Sequence, residues 1–153
     1  MVITGAIIAG SCEPVEEISD IPEIRFKSLT GPFQIDTGSI PYYGATLKFS
    51  FTDGNSDFGT NETSDRADTN MYMVPFRKLN GTYDSIDATI YGRKYIVKNH
   101  DKLDRDGEPI KGEISVDIPY FLLPPFDTLR YEFYIIDRAG NKSNVETTSD
   151  IAF

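Results

Sequence analysis

A chain of 153 residues, 39% apolar and 12% aromatic, has the length and composition of one globular domain. At that size roughly 68–70% of the unfolded surface is buried, so no disulfide or metal is needed to hold a core. The 24 acidic residues outnumber the 15 basic ones and leave a formal charge of −9, while a single Cys and a single His complete the inventory; these values exclude nucleic acid as an expected partner, a disulfide framework, a Cys/His zinc site and any metal site built on two histidines.

Val2 to Gly10 is an apolar run, VITGAIIAG, that leads into Ser11-Cys12. It is far shorter than the about 20 residues a membrane-spanning helix needs, and it suits the apolar centre and small-residue end of a secretory signal. A basic leader is expected upstream of Met1. The segment Ala9-Gly10-Ser11-Cys12 resembles the lipobox of bacterial lipoproteins at the two positions before Cys12, and it departs from that pattern at Ala9, where Leu is usual. The resemblance implies that Cys12 is the acylated N-terminus of the mature chain, held to a membrane by its lipid, with residues 1–11 the remnant of a signal peptide. The competing reading is an N-terminal extension with a merely buried Cys. Residues 12–22 hold Glu13, Glu16, Glu17 and Asp20 and no basic residue, which suits an acidic tether. The stretch is also similar to the acidic signal that follows the lipidated Cys in surface lipoproteins of the Bacteroidetes, and an ordinary solvated linker fits it equally.

From residue 23 to 153 the apolar period is near two. Ile24, Phe26 and Ser28 alternate with Arg25 and Lys27, and Leu47, Phe49 and Phe51 alternate with Lys48, Ser50 and Thr52. Asn70 to Leu79 is a further strand, which Pro75 assigns to a sheet edge or a bulge. Asn80-Gly81 is a hairpin turn feeding Thr82 to Ile90, and Tyr95 to Lys98 is a short candidate. Asp106-Gly107 is the turn before Ile110 to Ile118. Leu129 to Ile135 and Val145 to Phe153 complete the set. No window of eleven residues carries an amphipathic helix. Seven to eight short strands at this spacing predict an all-β domain, an antiparallel immunoglobulin-like β-sandwich.

Two loops sharpen that expectation. Phe51 to Gly59 (FTDGNSDFG) and Asp137 to Asn144 (DRAGNKSN), in this order behind a Cys-terminated leader, resemble the signature loops of small Bacteroidetes-type surface lipoproteins with one immunoglobulin-like or fibronectin-III-like domain. The resemblance covers about residues 21–153. It implies a fold and a location at the outer membrane or cell surface, and no activity.

Asp53, Asn55 and Asp57 have the opening spacing of an EF-hand, but Phe58 stands where Gly is required and Ser64 where the bidentate Glu is required, so an EF-hand is excluded. In an immunoglobulin-like sandwich the loop after the second strand and the loop before the last lie at one end. Asp53, Asn55, Asp57, Asp137 and Asn141, with Glu23, are therefore a candidate oxygen-ligand set for calcium. The same Asp, Asn and Gly residues also serve turn geometry alone. Tyr42, Tyr43 and Tyr120 are a candidate stacking platform for sugars or peptides, and Tyr120 to Phe126 (YFLLPPF) is the most apolar loop, expected to wrap one end of the core. His100 sits in a polar stretch with no nucleophile elbow, and neither a phosphate loop nor a dinucleotide fingerprint is present. The expected function is a non-enzymatic binding or adhesion module at the envelope, meeting a protein or glycan; the alternative is a carbohydrate-binding accessory lipoprotein of a nutrient-uptake system.

Overall fold

The computed structural model describes residues 18–36, 38, 41–59, 69–98, 107–121 and 124–153. Cys12, His100, Ser64 and the turn residues Asp104 to Asp106 lie outside them, as do Leu122 and Leu123. In chain order the elements are β1 (Glu23–Ile35), β2 (Tyr42–Asp53), β3 (Met71–Leu79), β4 (Thr82–Ser85), α1 (Ala88–Tyr91), β5 (Arg93–Tyr95), β6 (Ile110–Tyr120), β7 (Thr128–Ile135), β8 (Glu146–Thr147) and β9 (Ile151–Ala152). All pairings are antiparallel. One sheet runs β1-β2-β6; the other runs β4-β3-β7-β8, with β5 also on β3 and β9 also on β7. Placing the first, second and sixth strands in one sheet and the third and seventh in the other is the immunoglobulin-like arrangement expected from the pattern.

The alternation read from the sequence sets the inner faces. Ala45, Leu47, Phe49 and Phe51 of β2 meet Leu129, Tyr131, Phe133 and Ile135 of β7, all buried. The rings of Phe49 and Phe133 lie 5.3 Å apart across the sheets. Phe51 stacks on Phe58 at 4.0 Å, which folds the start of the following loop back over the core. Gly112 is required beneath that stack, because a Cβ there would stand 2.9 Å from the Phe51 ring.

Three expectations change in detail. The strand count is nine among the described residues, because the C-terminal stretch divides into β8 and β9 and residues 93–95 form β5. The strand after Asn80-Gly81 ends at Ser85, where Asp87 caps a single helical turn by accepting from Thr89 N at 2.8 Å. β3 is a central strand rather than an edge. Pro75 is tolerated because Tyr131 opposite it directs its backbone groups to Thr148, so Pro75 turns its missing N–H away from β7. That side is the gap between β4 and β5, where Ile86 N donates to the Pro75 carbonyl at 3.3 Å.

Since β8 and β9 are two residues each, side chains complete the outer edge of β7. Thr148 Oγ1 accepts from Tyr131 N at 3.0 Å, and Ser143 Oγ accepts from Ile135 N at 3.1 Å. Buried Asn70 does the same just beyond β5, accepting from Val97 N at 2.7 Å and donating to the Val97 carbonyl at 2.9 Å.

Truncating Phe133→Ala removes the central contact between the sheets. It is expected to lower unfolding free energy by about 3–5 kcal/mol in urea titrations with an unchanged slope, as a cavity in an otherwise intact core does.

Candidate functional site

The five loop residues expected to hold calcium do gather at one end of the sandwich, but most of their polar atoms already have partners. Asp53 is the next inward position after Ala45, Leu47, Phe49 and Phe51, so alternation itself turns it inside; it is 0% exposed. Asp137 stands in the same relation to β7 and is also buried. Asp137 Oδ1 accepts from Asn141 N at 2.7 Å and its Oδ2 from Asn141 Nδ2 at 2.8 Å, which closes the turn at Gly140 (φ +89°). Asn55 Oδ1 accepts from Asp57 N at 3.2 Å. Asp53 Oδ2 accepts from Phe58 N at 2.7 Å. Ser56 donates to the Glu108 carbonyl, and Arg138 Nη2 donates to the Ser56 carbonyl at 3.0 Å, tying this loop to the entry of β6 and to the loop after β7.

Two carboxylate oxygens are left over. Asp53 Oδ1 and Asp57 Oδ1 are buried without a hydrogen-bond donor. Burial and the neighbouring Asp57 push the Asp53 carboxyl up to about 6, and burial followed by Asp137 raises Asp57. Glu23 is not part of the group, since it faces outward and pairs with Arg25 at 3.6 Å. Among the described residues no group of three or more His, Cys, Asp or Glu side chains is arranged to hold a metal ion. The arrangement is that of interlocked turns with a strained pair of acids at their centre.

The opposite end is aromatic. β2 runs eleven steps from Tyr42 to Asp53, about 36 Å at ~3.3 Å per residue, so the two candidate regions are separated by the length of the sheet. Tyr43 pairs with Tyr120 in register. Tyr120 is 2% exposed; its hydroxyl meets that of Tyr131 at 3.1 Å, its ring meets Phe153 edge-on at 4.9 Å, and burial raises its pKa far above the usual tyrosine range. It is a core residue and offers no open ring face to a ligand, contrary to its place in the expected platform. Tyr42 packs on Phe121 at 5.1 Å.

The YFLLPPF loop also divides. Tyr120 and Phe126 pack on the core, whereas Phe121 is 73% exposed. Between this loop and α1 lies a groove of about 580 Å³ walled by Ile90, Tyr91, Pro119, Phe121, Pro124 and Pro125. Arg93 stands at its side, with its guanidinium 5.6 Å from the Tyr120 ring centre and Nη2 donating to the Pro119 carbonyl at 3.5 Å. Neither Arg93 nor Ile90, which is 64% exposed, carries a local sequence signal, because the groove joins residues from separate segments. Tyr42, Tyr43 and Tyr91 keep partial exposure at this end, and Tyr72, Tyr83 and Tyr134 do so on the outer face of the larger sheet, where cations cover them. Lys142 lies 3.8 Å above Tyr134, Arg130 lies 3.4 Å above Tyr83, and Tyr134 stacks on Tyr72 at 5.2 Å.

No family model, no curated protein and no solved structure gives a match to this chain. Among the described residues no helix is long and apolar enough to cross a membrane.

The acid pair has a pH signature of definite sign. A carboxyl whose pKa rises on folding contributes stability below its unfolded value near 3.9, and that contribution is lost as pH climbs through about 6. Asp53→Asn keeps an acceptor for Phe58 N and removes the charge. Its stability relative to wild type is expected to rise from near zero at pH 4 to about 1–2 kcal/mol at pH 7.5, measured by urea unfolding across that range. A flat difference, or a wild-type melting midpoint raised by millimolar calcium and not by magnesium, contradicts this account.

Proposed function

We propose that this chain is a lipid-anchored, non-enzymatic binding module of a Bacteroidetes-type cell envelope, and that it meets a protein partner through the aromatic groove. The observation that carries the reading is the placement of the groove relative to the chain's entry. The Ser19 carbonyl accepts from Gly54 N at 2.8 Å, and Glu23 pairs with Thr52, so the N-terminal segment joins the sandwich at the acidic end. Gly54 has to lack a side chain there, since a Cβ would stand 2.8 Å from the Asp20 carboxylate and from the Ser19 carbonyl carbon. Seven residue steps separate Cys12 from Ser19, a reach of at most about 25 Å. In a single copy, a lipid on Cys12 therefore holds the acidic end toward the membrane, and the groove, a full sheet length away, points outward.

The groove's chemistry favours an apolar protein segment. Ile90 and Phe121 are large apolar side chains left exposed beside it, an uncommon surface on a monomer. A glycan platform built on tyrosine needs an open ring face, whereas of the tyrosines lining the groove Tyr120 and Tyr131 are buried and Tyr91 is half-buried against Phe126.

Metabolic labelling with a palmitate analogue in a Bacteroidetes-type host is expected to mark the wild-type chain and not Cys12→Ser. In the same cells a photo-cross-linking residue at position 121 is expected to capture one discrete envelope protein, with capture lost in Ile90→Glu, while the same probe at position 20 captures none. An unlabelled wild-type chain overturns the anchor. Equal capture from both positions, or none from position 121, overturns the groove.

A further inference from the structure

We propose that two copies of this chain join through β6, pairing antiparallel about Ile114 so that the two three-stranded sheets become one continuous sheet. Among the described residues most strand edges of the sandwich are covered, interrupted or short. The first part of β1 is closed on its outer side by side chains: Ile24 N donates to Asn144 Oδ1 at 2.8 Å, Asn144 Nδ2 donates to the Ile24 carbonyl at 2.8 Å, and Phe26 N donates to Glu146 Oε2 at 3.0 Å; the rest is broken by register shifts after Phe26 and between Thr30 and Phe33, where Pro32 has no N–H. β4, β5, β8 and β9 are two to four residues long. β6 has eleven residues and, among the described residues, pairs only with β2. A long edge of this kind is a template for another strand.

The direction of its free groups follows from the same bonds. Ile24 and Phe26 turn away from β2, so their opposites Phe51 and Phe49 direct their backbone groups to β6, where they face Gly112 and Ile114. The even positions of β6 are thus bonded to β2. Lys111, Glu113, Ser115 and Asp117 turn their N–H and carbonyl groups to the open edge. Pro119, which has no N–H, falls in the same set and closes it, its carbonyl taken by Arg93.

Charge selects both the partner and the register. Centred on Ile114, an antiparallel copy places Lys111 opposite Asp117 and Glu113 opposite Ser115, each twice by symmetry, and Ile110 opposite Ile118 on the inner face. Centring on Glu113 sets that residue against itself, and centring on Ser115 sets Glu113 against Asp117 twice. A shift of odd length turns the inner face outward. Opposed like charges across strands are destabilising and opposite charges stabilising, so the Ile114 centre is the long overlap that attracts. The charged side chains lie on the outer face: Lys111 and Asp117 are exposed, Asp117 accepting from Thr46 Oγ1 at 2.9 Å, and Glu113 lies 3.8 Å from Lys27. Half-buried Ile114 would meet its own copy at the dyad, an isologous contact of the kind two-fold dimers use.

Sedimentation equilibrium of the full chain carrying Cys12→Ser, which removes both acylation and intermolecular disulfides, tests the pairing. At about 100 µM the expected weight-average mass is about 1.5 to 2 times the 17.2 kDa of one chain, rising with concentration, for dissociation in the range of about 1–100 µM expected of so small an interface. Lys111→Glu and Asp117→Lys each reverse two symmetric pairs and are expected to weaken the dimer roughly tenfold or more. The double variant Lys111→Glu/Asp117→Lys restores opposite charges and is expected to restore the dimer. Ser115→Pro removes an N–H that faces the open edge and none that β2 uses, so it is expected to leave circular dichroism and melting unchanged while giving a monomer. A monomeric wild type overturns the proposal, as does a dimer that both single charge variants leave intact or that the double variant fails to recover.

Discussion

The contact between β2 and β7 is the constraint on which the remaining features rest. Each strand presents four consecutive inward positions, and the Phe49 and Phe133 rings meet between the sheets. Once those side chains are buried, every other residue on both strands has its direction assigned, because the pleat alternates without exception until a bulge intervenes. Asp53 and Asp137 are placed inside by that rule and by nothing local to their own chemistry. The acidic end is a consequence of apolar packing carried one step too far along each strand.

Burying polar groups there demands partners, and the chain supplies them by side chain where strands are too short. Thr148, Ser143 and Asn70 take up backbone groups that longer neighbours would otherwise have paired, and Asn141 saturates Asp137. The exception is the Asp53 and Asp57 pair, whose Oδ1 atoms meet no donor. Loops built in this way are closed on themselves and leave few oxygens for a cation, which is why a spacing that suits a metal ligand set in the sequence becomes turn chemistry in the fold.

The sandwich also distributes its surfaces. The N-terminal segment docks at the acidic end over Gly54, the groove with Phe121 and Ile90 lies at the far end, and the long edge of β6 runs between them. Because the pairing about Ile114 is antiparallel, it would set the acidic end of one copy beside the groove end of the other, so the two grooves lie at opposite ends of the paired sheet.

Alternation in the sequence alone determined the all-β class, the inner face of each long strand and the two loops that meet at one end, since period-two patterning and Asx-Gly turns act within a few residues. The parity of Asp53 and Asp137 was legible there too, one step beyond the apolar series, though their Asp and Asn neighbours read equally as ligands and as turns. Tertiary structure decided what depends on a second segment. Pro75 sits in a central strand because a gap between β4 and β5 happens to face it; Tyr120 is core because Tyr131 and Phe153 close over it; and the groove exists because α1 and the YFLLPPF loop meet. Local patterning sets which way a side chain points, and only the packed neighbour sets whether it finds water, a partner or another copy of itself.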